Sequence, residues 1–227
     1  LMISVVPKLK SSLKAHELAR YTISQLNRFY PDGDEVLLDH LIPIIPESLR
    51  RLEHCFSYVN NRYFFDGQAS VFNHLHGDQY AMWLYILSNE LFLQRGEANL
   101  CNKLFLLNKQ LHSCDIFYEV SLPSVFLLVH PLGTVLGRGN YSDFFVAYQR
   151  CGIGSNHDIY PTLGRHLTLR PGSAILGDSN IGDNCQIASE TLVIDTDLPA
   201  GSTIYGNPSN HRIKKNTQLY SLWRRHT

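Results

Sequence analysis

The stretch from Leu163 to Val193, LGRHLTLRPGSAILGDSNIGDNCQIASETLV, carries a branched apolar residue at every sixth position. The repeating residues are Leu163, Leu169, Ile175, Ile181, Ile187 and Val193. A period of six matches neither the 3.6-residue turn of a helix nor the alternation of an ordinary strand. It is typical of a hexapeptide β-helix, in which each branched residue fills the inside of the coil. Three such faces make one turn, so we expect a coil of about 18 residues.

The same period continues upstream with two interruptions. Ile116, Leu122 and Leu128 keep the spacing of six, and Leu136 then restarts it two positions late. Residues 148–161 are irregular and contain two glycines, which favours a loop that leaves the coil. We therefore expect about two coils before this loop and two after it.

The N-terminal half has a helical pattern. Apolar residues recur at helical spacing from Leu9 to Leu26, and Pro43 and Pro46 interrupt a second such pattern. The segment starting at Gly77 is apolar around most of its circumference, which indicates a buried helix ending at Gly96. The predicted fold is α+β, with a helical domain (1–112), a left-handed parallel β-helix (113–205) and a C-terminal tail (206–227).

Composition narrows the class of partner. The 227 residues include 20 basic and 20 acidic side chains, so no nucleic-acid partner is expected. The five cysteines form no CxxC pair, which favours reduced thiols in a cytoplasmic protein. No apolar run is long enough to span a bilayer, and the first residues lack the pattern of a signal peptide.

His130 is the best candidate for a general base. It lies in LLVHPLG, where the period of six slips, so its side chain need not follow the repeat. Asp115 precedes it by 15 residues, which places the carboxylate about one coil away. An aspartate beside an imidazole fixes the tautomer of the ring and stabilises its cation during proton transfer. Transfer of an acyl group from a thioester to a hydroxyl needs such a base.

His157, in the predicted loop, is a weaker candidate. It follows His130 by about one and a half coils, so the two would face different sides of one chain and meet only across a subunit boundary. Three histidines converging between subunits would instead suggest a metal site. His130, His157 and His166 follow no ligand spacing, and no metal is expected.

The chain resembles the serine O-acetyltransferase family of hexapeptide acyltransferases between Asp66 and Ile213. The segment VHPLG is similar to the family's catalytic DHATG, and Asp115-Ile116 matches its DIHP at the same spacing. Asp66 precedes the LHG that opens the buried helix by the family's distance of 11 residues. The GNPS turn at Gly206 is similar to the family's closing element beside coenzyme A.

The resemblance implies an acetyl-CoA-dependent O-acetyltransferase that works as a trimer or a dimer of trimers. His130 and Asp115 would be catalytic, and Asp66, His157 and Tyr160 would bind the acceptor. Pro171 replaces a residue whose backbone amide meets the coenzyme, so that contact would be lost or supplied by Gly172 or Ser173. The residues expected to hold the coenzyme are Gly172, Ser173, Ala188, Ser189, Gly206, Lys214 and Lys215.

Two departures from the family concern the acceptor. Val129 replaces the acidic residue before the catalytic histidine, and Ile159-Tyr160 replaces an Arg-His pair that holds the serine carboxylate. Because an amino acid whose charges lose their partners binds poorly, we expect a neutral sugar hydroxyl as the acceptor. The alternatives are serine, a non-catalytic scaffold protein, and a metal-dependent hydratase.

Overall fold

A computed structural model describes residues 9–216 and 222–224. The N-terminal half is helical, as predicted, and Pro46 lies in the first turn of a helix after the interruption at Pro43. Its helices are α1 (Ala15–Phe29), α2 (Leu38–Leu41), α3 (Ile45–Ser57), α4 (Gly77–Arg95) and α5 (Ala98–His112). Two short strands, β1 (Lys10–Ser11) and β2 (Val71–Phe72), form a parallel pair beside them.

Helix α4 is buried along most of its length and joins the two halves of the molecule. It ends at Gly96, which adopts the left-handed conformation with φ 64°, as the sequence predicts. The hydroxyl of Tyr85 donates to the carbonyl of Val120 at 2.7 Å and accepts from the amide of Leu122 at 2.9 Å. Since these hydrogen bonds are buried, α4 fixes the first coil against the helices.

The C-terminal half is a left-handed parallel β-helix of about four turns. Its strands are β3 (Phe126–Leu128), β4 (Val135–Leu136), β5 (Phe145–Ala147), β6 (Gly152–Gly154), β7 (Thr162–Leu163), β8 (Thr168–Leu169), β9 (Ala174–Leu176), β10 (Asn180–Ile181), β11 (Gln186–Ile187), β12 (Leu192–Ile194), β13 (Ser202–Tyr205) and β14 (Arg212–Lys215). One face runs β3-β5-β8-β11-β13 with β14 added at its end, a second runs β4-β6-β9-β12, and a third contains β7 and β10.

The register confirms the predicted coil. Asn180 pairs with Thr162, and Leu192 pairs with Ala174, so in the regular stretch up to Ile194 a paired residue lies beside the one 18 positions earlier. All six repeating residues from Leu163 to Val193 are 4 % exposed or less. Gly182 also belongs to this packing, because a Cβ there would lie 2.5 Å from the backbone nitrogen of Ala200. A larger residue would therefore push adjacent coils apart.

The predicted loop over residues 148–161 is wrong in part. Its two glycines belong to β6, which pairs with β4 on one side and β9 on the other. Ile153 between them is buried in the coil, so this segment continues the β-helix. The excursion is limited to residues 155–161, where Asn156 and Ile159 close a tight antiparallel turn. The glycines mark close packing of strands here, since a Cβ at Gly154 would lie 3.2 Å from Leu176.

The C-terminal segment returns to the helices. After the turn at Gly206, β14 pairs antiparallel with β13. The carbonyl of Leu222 accepts from the amide of Asn60 at 2.7 Å, and the amide of Arg224 donates to Tyr58 at 2.7 Å. The final residues that the structure describes thus contact the end of α3.

The five cysteines are free and buried. Burial raises the pKa of the thiols of Cys55, Cys101 and Cys114 to about 12, so they stay protonated at neutral pH. Within residues 9–216 and 222–224, no helix is long and apolar enough to cross a membrane.

Candidate active site

His130 lies in the turn between β3 and β4. Its backbone is left-handed, with φ 48°, and its carbonyl accepts from the amide of Leu132 at 2.7 Å. This conformation turns the imidazole away from the packed coil, and its side chain is 73 % exposed. Nδ1 of the ring lies 3.7 Å from Oδ2 of Asp78, in the first turn of α4, whose side chain is only 15 % exposed. Asp78 is not among the site residues predicted from the sequence.

Asp115 does not contact His130 in the way that the sequence predicts. Its backbone bridges to Val135, and its carboxylate accepts from Nζ of Lys109 at 2.8 Å. No hydrogen bond joins Asp115 to His130 in the described part of the chain. The physical reason is that α5 ends beside the first coil, so Lys109 in its last turn reaches the carboxylate first. The spacing of residues within the repeat cannot predict this contact, because Lys109 belongs to helix α5.

His112, at the end of α5, is a second histidine near Asp78 that sequence reasoning missed. Its Nδ1 is 2.8 Å from Oδ1 of Asn108, and its ring contacts Tyr80 edge-on. Burial lowers the pKa of His112 to about 4, although the charge of Asp78 opposes this shift. At neutral pH the ring is therefore uncharged.

The lowered pKa of this partly buried histidine predicts a pH-dependent stability. The pKa of His112 rises from about 4 in the fold to about 6.5 when the chain unfolds, so the unfolded state binds more protons in that window. We expect the free energy of unfolding to fall as the pH is lowered from about 6.5 to about 4. Urea denaturation across this range should give a shallower slope for His112→Asn than for the wild type. Equal slopes would contradict the assignment.

Asp66 is occupied by local partners. Its carboxylate accepts from Nζ of Lys10 at 2.5 Å and from the amides of Gln68 and Ala69 at 2.9 Å. The hydrogen bond from Lys10 is the largest cause that lowers the pKa of Asp66. No described contact joins Asp66 to His130. Its predicted role with the acceptor would require the pair with Lys10 to open.

His157 and Tyr160 lie in the short excursion. His157 and Asp158 are the central residues of the turn, both with positive φ, and both are exposed. Tyr160 is also exposed, and a hydrogen bond with it is the largest cause that raises the pKa of Arg138. The structure places neither residue in contact with His130 within the described chain.

A shallow groove between the last coils contains part of the predicted coenzyme site. Its lining residues are Tyr148, Arg170, Pro171, Gln186, Ala188, Ser189 and Tyr205. Ser173 is fully buried, and its amide donates to the carbonyl of Arg170 at 3.1 Å. The amide of Gly172 donates to Gln149 at 3.0 Å. Because both amides already donate within the chain, loss of the coenzyme contact at Pro171 is the alternative that these hydrogen bonds favour, and the roles of Gly172 and Ser173 stay predictions.

The amide of Ser189 remains available in this groove, since no described residue accepts from it. Gly206 follows Tyr205 with φ 90°, and its amide donates to Oγ1 of Thr191 at 3.2 Å. Lys214 on β14 holds Nζ 5.7 Å from the ring centre of Tyr205. Lys215 follows it on the same exposed strand. The ammonium of Lys214 thus lies beside Tyr205, at the edge of the groove.

Residues 9–216 and 222–224 contain no group of three or more His, Cys, Asp or Glu side chains placed to hold a metal ion. His166 instead stacks on Phe144 with ring centres 4.3 Å apart. Among the residues that the structure describes, His130, His157 and His166 are not brought together within one subunit.

The fold is that of a hexapeptide β-helix protein, and an exposed histidine lies at one of its coil turns. No family model matches the chain. Among curated proteins it is similar to serine acetyltransferases of Buchnera aphidicola (28 % identical over 103 residues, 43 % of this chain and 39 % of that protein) and Synechococcus elongatus (26 % over 107 residues, 45 % and 43 %). The chain thus spans about two fifths of the length of these relatives.

Solved structures of serine acetyltransferases share the fold over about nine tenths of this chain. That of Neisseria gonorrhoeae superposes with a TM-score of 0.68 at 18 % identity, over 90 % of this chain and 80 % of the other. The Brucella abortus protein in complex with coenzyme A gives 0.66 at 16 % identity, over 91 % and 84 %. The predicted resemblance to serine O-acetyltransferase-like hexapeptide proteins is confirmed in sequence and in fold.

Proposed function

We propose that this protein transfers an acetyl group from acetyl-CoA to the hydroxyl of serine. The observation that carries the proposal is the exposed imidazole of His130, held at a coil turn beside a carboxylate. It occurs in a fold shared with serine acetyltransferases, one of which is described in complex with coenzyme A. A histidine is the side chain best suited to take a hydroxyl proton near neutral pH.

The chemistry requires one base and a route for one proton. An unprotonated ring nitrogen of His130 takes the proton as the hydroxyl oxygen attacks the thioester carbonyl. The tetrahedral adduct then collapses with cleavage of the C–S bond. The imidazolium returns the proton to the departing sulfur, so the ring leaves the cycle neutral and an O-acetyl ester is formed.

The groove between the last coils suits the donor. Tyr148 and Tyr205 offer flat apolar surface, and the amide of Ser189 offers a hydrogen-bond donor to a pantetheine chain. Lys214 and Lys215 offer positive charge to the phosphates of the coenzyme. We therefore retain Ala188, Ser189, Gly206 and the two lysines as proposed coenzyme contacts.

The acceptor is the point at which the comparisons change the prediction from sequence. The neutral residues Val129, Ile159 and Tyr160 favoured a sugar over an amino acid. The relatives and the solved structures described above are serine acetyltransferases, and they favour serine. We accordingly propose serine as the acceptor and use a sugar as the competing substrate in the test.

An oligomer with sites between subunits also belongs to the proposal. Leu132, on the turn beside His130, and Val135, at the start of β4, are 59 % and 49 % exposed. A second coil packed there would bury these apolar side chains and cover one side of the imidazole. We propose a homotrimer or a dimer of trimers, and a cytoplasmic location remains a prediction.

A panel of acceptors tests the function. With acetyl-CoA as donor, we expect thiol release to be fastest with serine, slower with homoserine and at background with free hexoses. Release with a hexose alone would replace serine by a sugar. If no acceptor in the panel raises thiol release above background, the non-catalytic scaffold is favoured. Acetyl-CoA hydrolysis in the absence of any acceptor provides the background rate.

A further inference from the structure

We propose that Asp78 is the positioning residue for His130, and that it holds the ring proton on Nδ1. This inference rests on the proposed function, in which His130 is the base. It assigns to helix α4 a role that the resemblance gives to Asp115. Among the residues that the structure describes, Asp78 is the acidic residue whose carboxylate lies within ion-pair distance of the His130 ring.

The geometry of Asp78 suits this role. Its side chain is mostly buried and lies in the first turn of the 19-residue helix α4, where the helix dipole favours a negative charge. The next residue, Gln79, is buried. Its Oε1 accepts from the amide of Asn73, and its Nε2 donates to the carbonyl of Tyr63, each at 2.7 Å. The backbone that carries Asp78 is therefore firmly placed.

His130 needs such a partner. Its ring is largely exposed, so nothing in its own turn fixes the orientation of the imidazole. The gap of 3.7 Å between Nδ1 and Oδ2 is somewhat longer than a hydrogen bond, and a small rotation of the exposed ring closes it. Catalytic hydrogen bonds are often long before substrates bind and shorten in the complex.

The other charged groups nearby do not compete for this position. The carboxylate of Asp115 is held by Lys109 at 2.8 Å. His112 also lies near Asp78, but burial keeps it neutral and its Nδ1 faces Asn108. Asp78 is therefore left with His130 as the cation that can form beside it during proton transfer.

The consequence for the reaction concerns the tautomer. A proton on Nδ1 directed at Asp78 leaves Nε2 unprotonated, so Nε2 is the atom that accepts the proton of the acceptor hydroxyl. Without the carboxylate, the ring can place its proton on Nε2, and that form cannot act as a base at this atom. Loss of Asp78 should therefore reduce turnover more than substrate binding.

The first test measures the tautomer directly and does not depend on activity. In ¹⁵N-histidine-labelled protein at a pH where the His130 ring is neutral, we expect the Nδ1–H form in the wild type. We expect Asp78→Asn to shift the population toward Nε2–H, whereas the matched variant Asp115→Asn should leave it unchanged. If the tautomer population of His130 is unchanged in Asp78→Asn but shifts in Asp115→Asn, the proposal is wrong.

The second test is kinetic. We expect Asp78→Asn to lower kcat by about 10- to 100-fold with KM for both substrates unchanged within about threefold. Asp78→Glu should recover part of the loss, and the control Asp39→Asn, at an exposed aspartate on α2, should lower kcat by less than about threefold. An increase in KM alone, or equal losses in both asparagine variants, would contradict a positioning role. If the wild type proves inactive, the proposed function fails, while the tautomer measurement still decides the place of Asp78.

Discussion

Replacing His130 with asparagine is expected to lower kcat by about 10²- to 10⁴-fold, which is the usual contribution of a general base. Asparagine adopts the left-handed conformation of this position readily, so the turn at φ 48° should be preserved. It cannot take a proton from the acceptor hydroxyl at neutral pH. The KM for acetyl-CoA should change little, because the proposed coenzyme groove lies on other residues.

The control for this prediction is His16→Asn, which changes an exposed histidine on α1. Its kcat should equal that of the wild type. Circular dichroism of His130→Asn should confirm that the fold is intact. Activity that survives in His130→Asn would remove the base from the mechanism, whatever the acceptor proves to be.

Replacing Ile175 with alanine is expected to cost about 2–5 kcal/mol of unfolding free energy, as other deletions of large buried side chains do. Ile175 is fully buried in β9, which pairs with β6 on one side and β12 on the other. A cavity there lies at the middle of the stack, where the strands on both sides limit how far the structure can collapse into it. Urea denaturation measures the loss.

Ile213→Ala makes the same chemical change on β14, where the side chain is about half exposed. Its loss of stability should stay below about 1 kcal/mol, since surface substitutions usually have small effects. If the two variants were equally destabilised, the inside of the coil would not be the source of stability. The period of six would then have another explanation.

The coil was predictable because every turn needs the same type of residue at the same positions. A branched residue must fill the inside corner at each sixth position, and Ile175, Ile181 and Ile187 meet that demand in the sequence itself. The strand at Gly152–Gly154 was missed because its glycines read as loop signals. Glycine suits these positions because the side chains of the neighbouring strand pack closely against them, and this contact is seen only in the folded structure.

The candidate site was predictable only where it belongs to the repeat. His130 was found because it lies at a slip in the period. Asp78 and His112 were missed because they come from α4 and α5, and Asp78 meets His130 only after the helices pack on the first coil. The same packing brings Lys109 to Asp115 and removes the contact that spacing alone predicted.

The most direct test of the account is to identify the product formed from ¹³C-acetyl-CoA and serine by mass spectrometry. The account predicts labelled O-acetylserine with the wild-type protein, in amounts equal to the thiol released, and only background with His130→Asn. Labelled product on a sugar and none on serine, or equal product from both proteins, would contradict it.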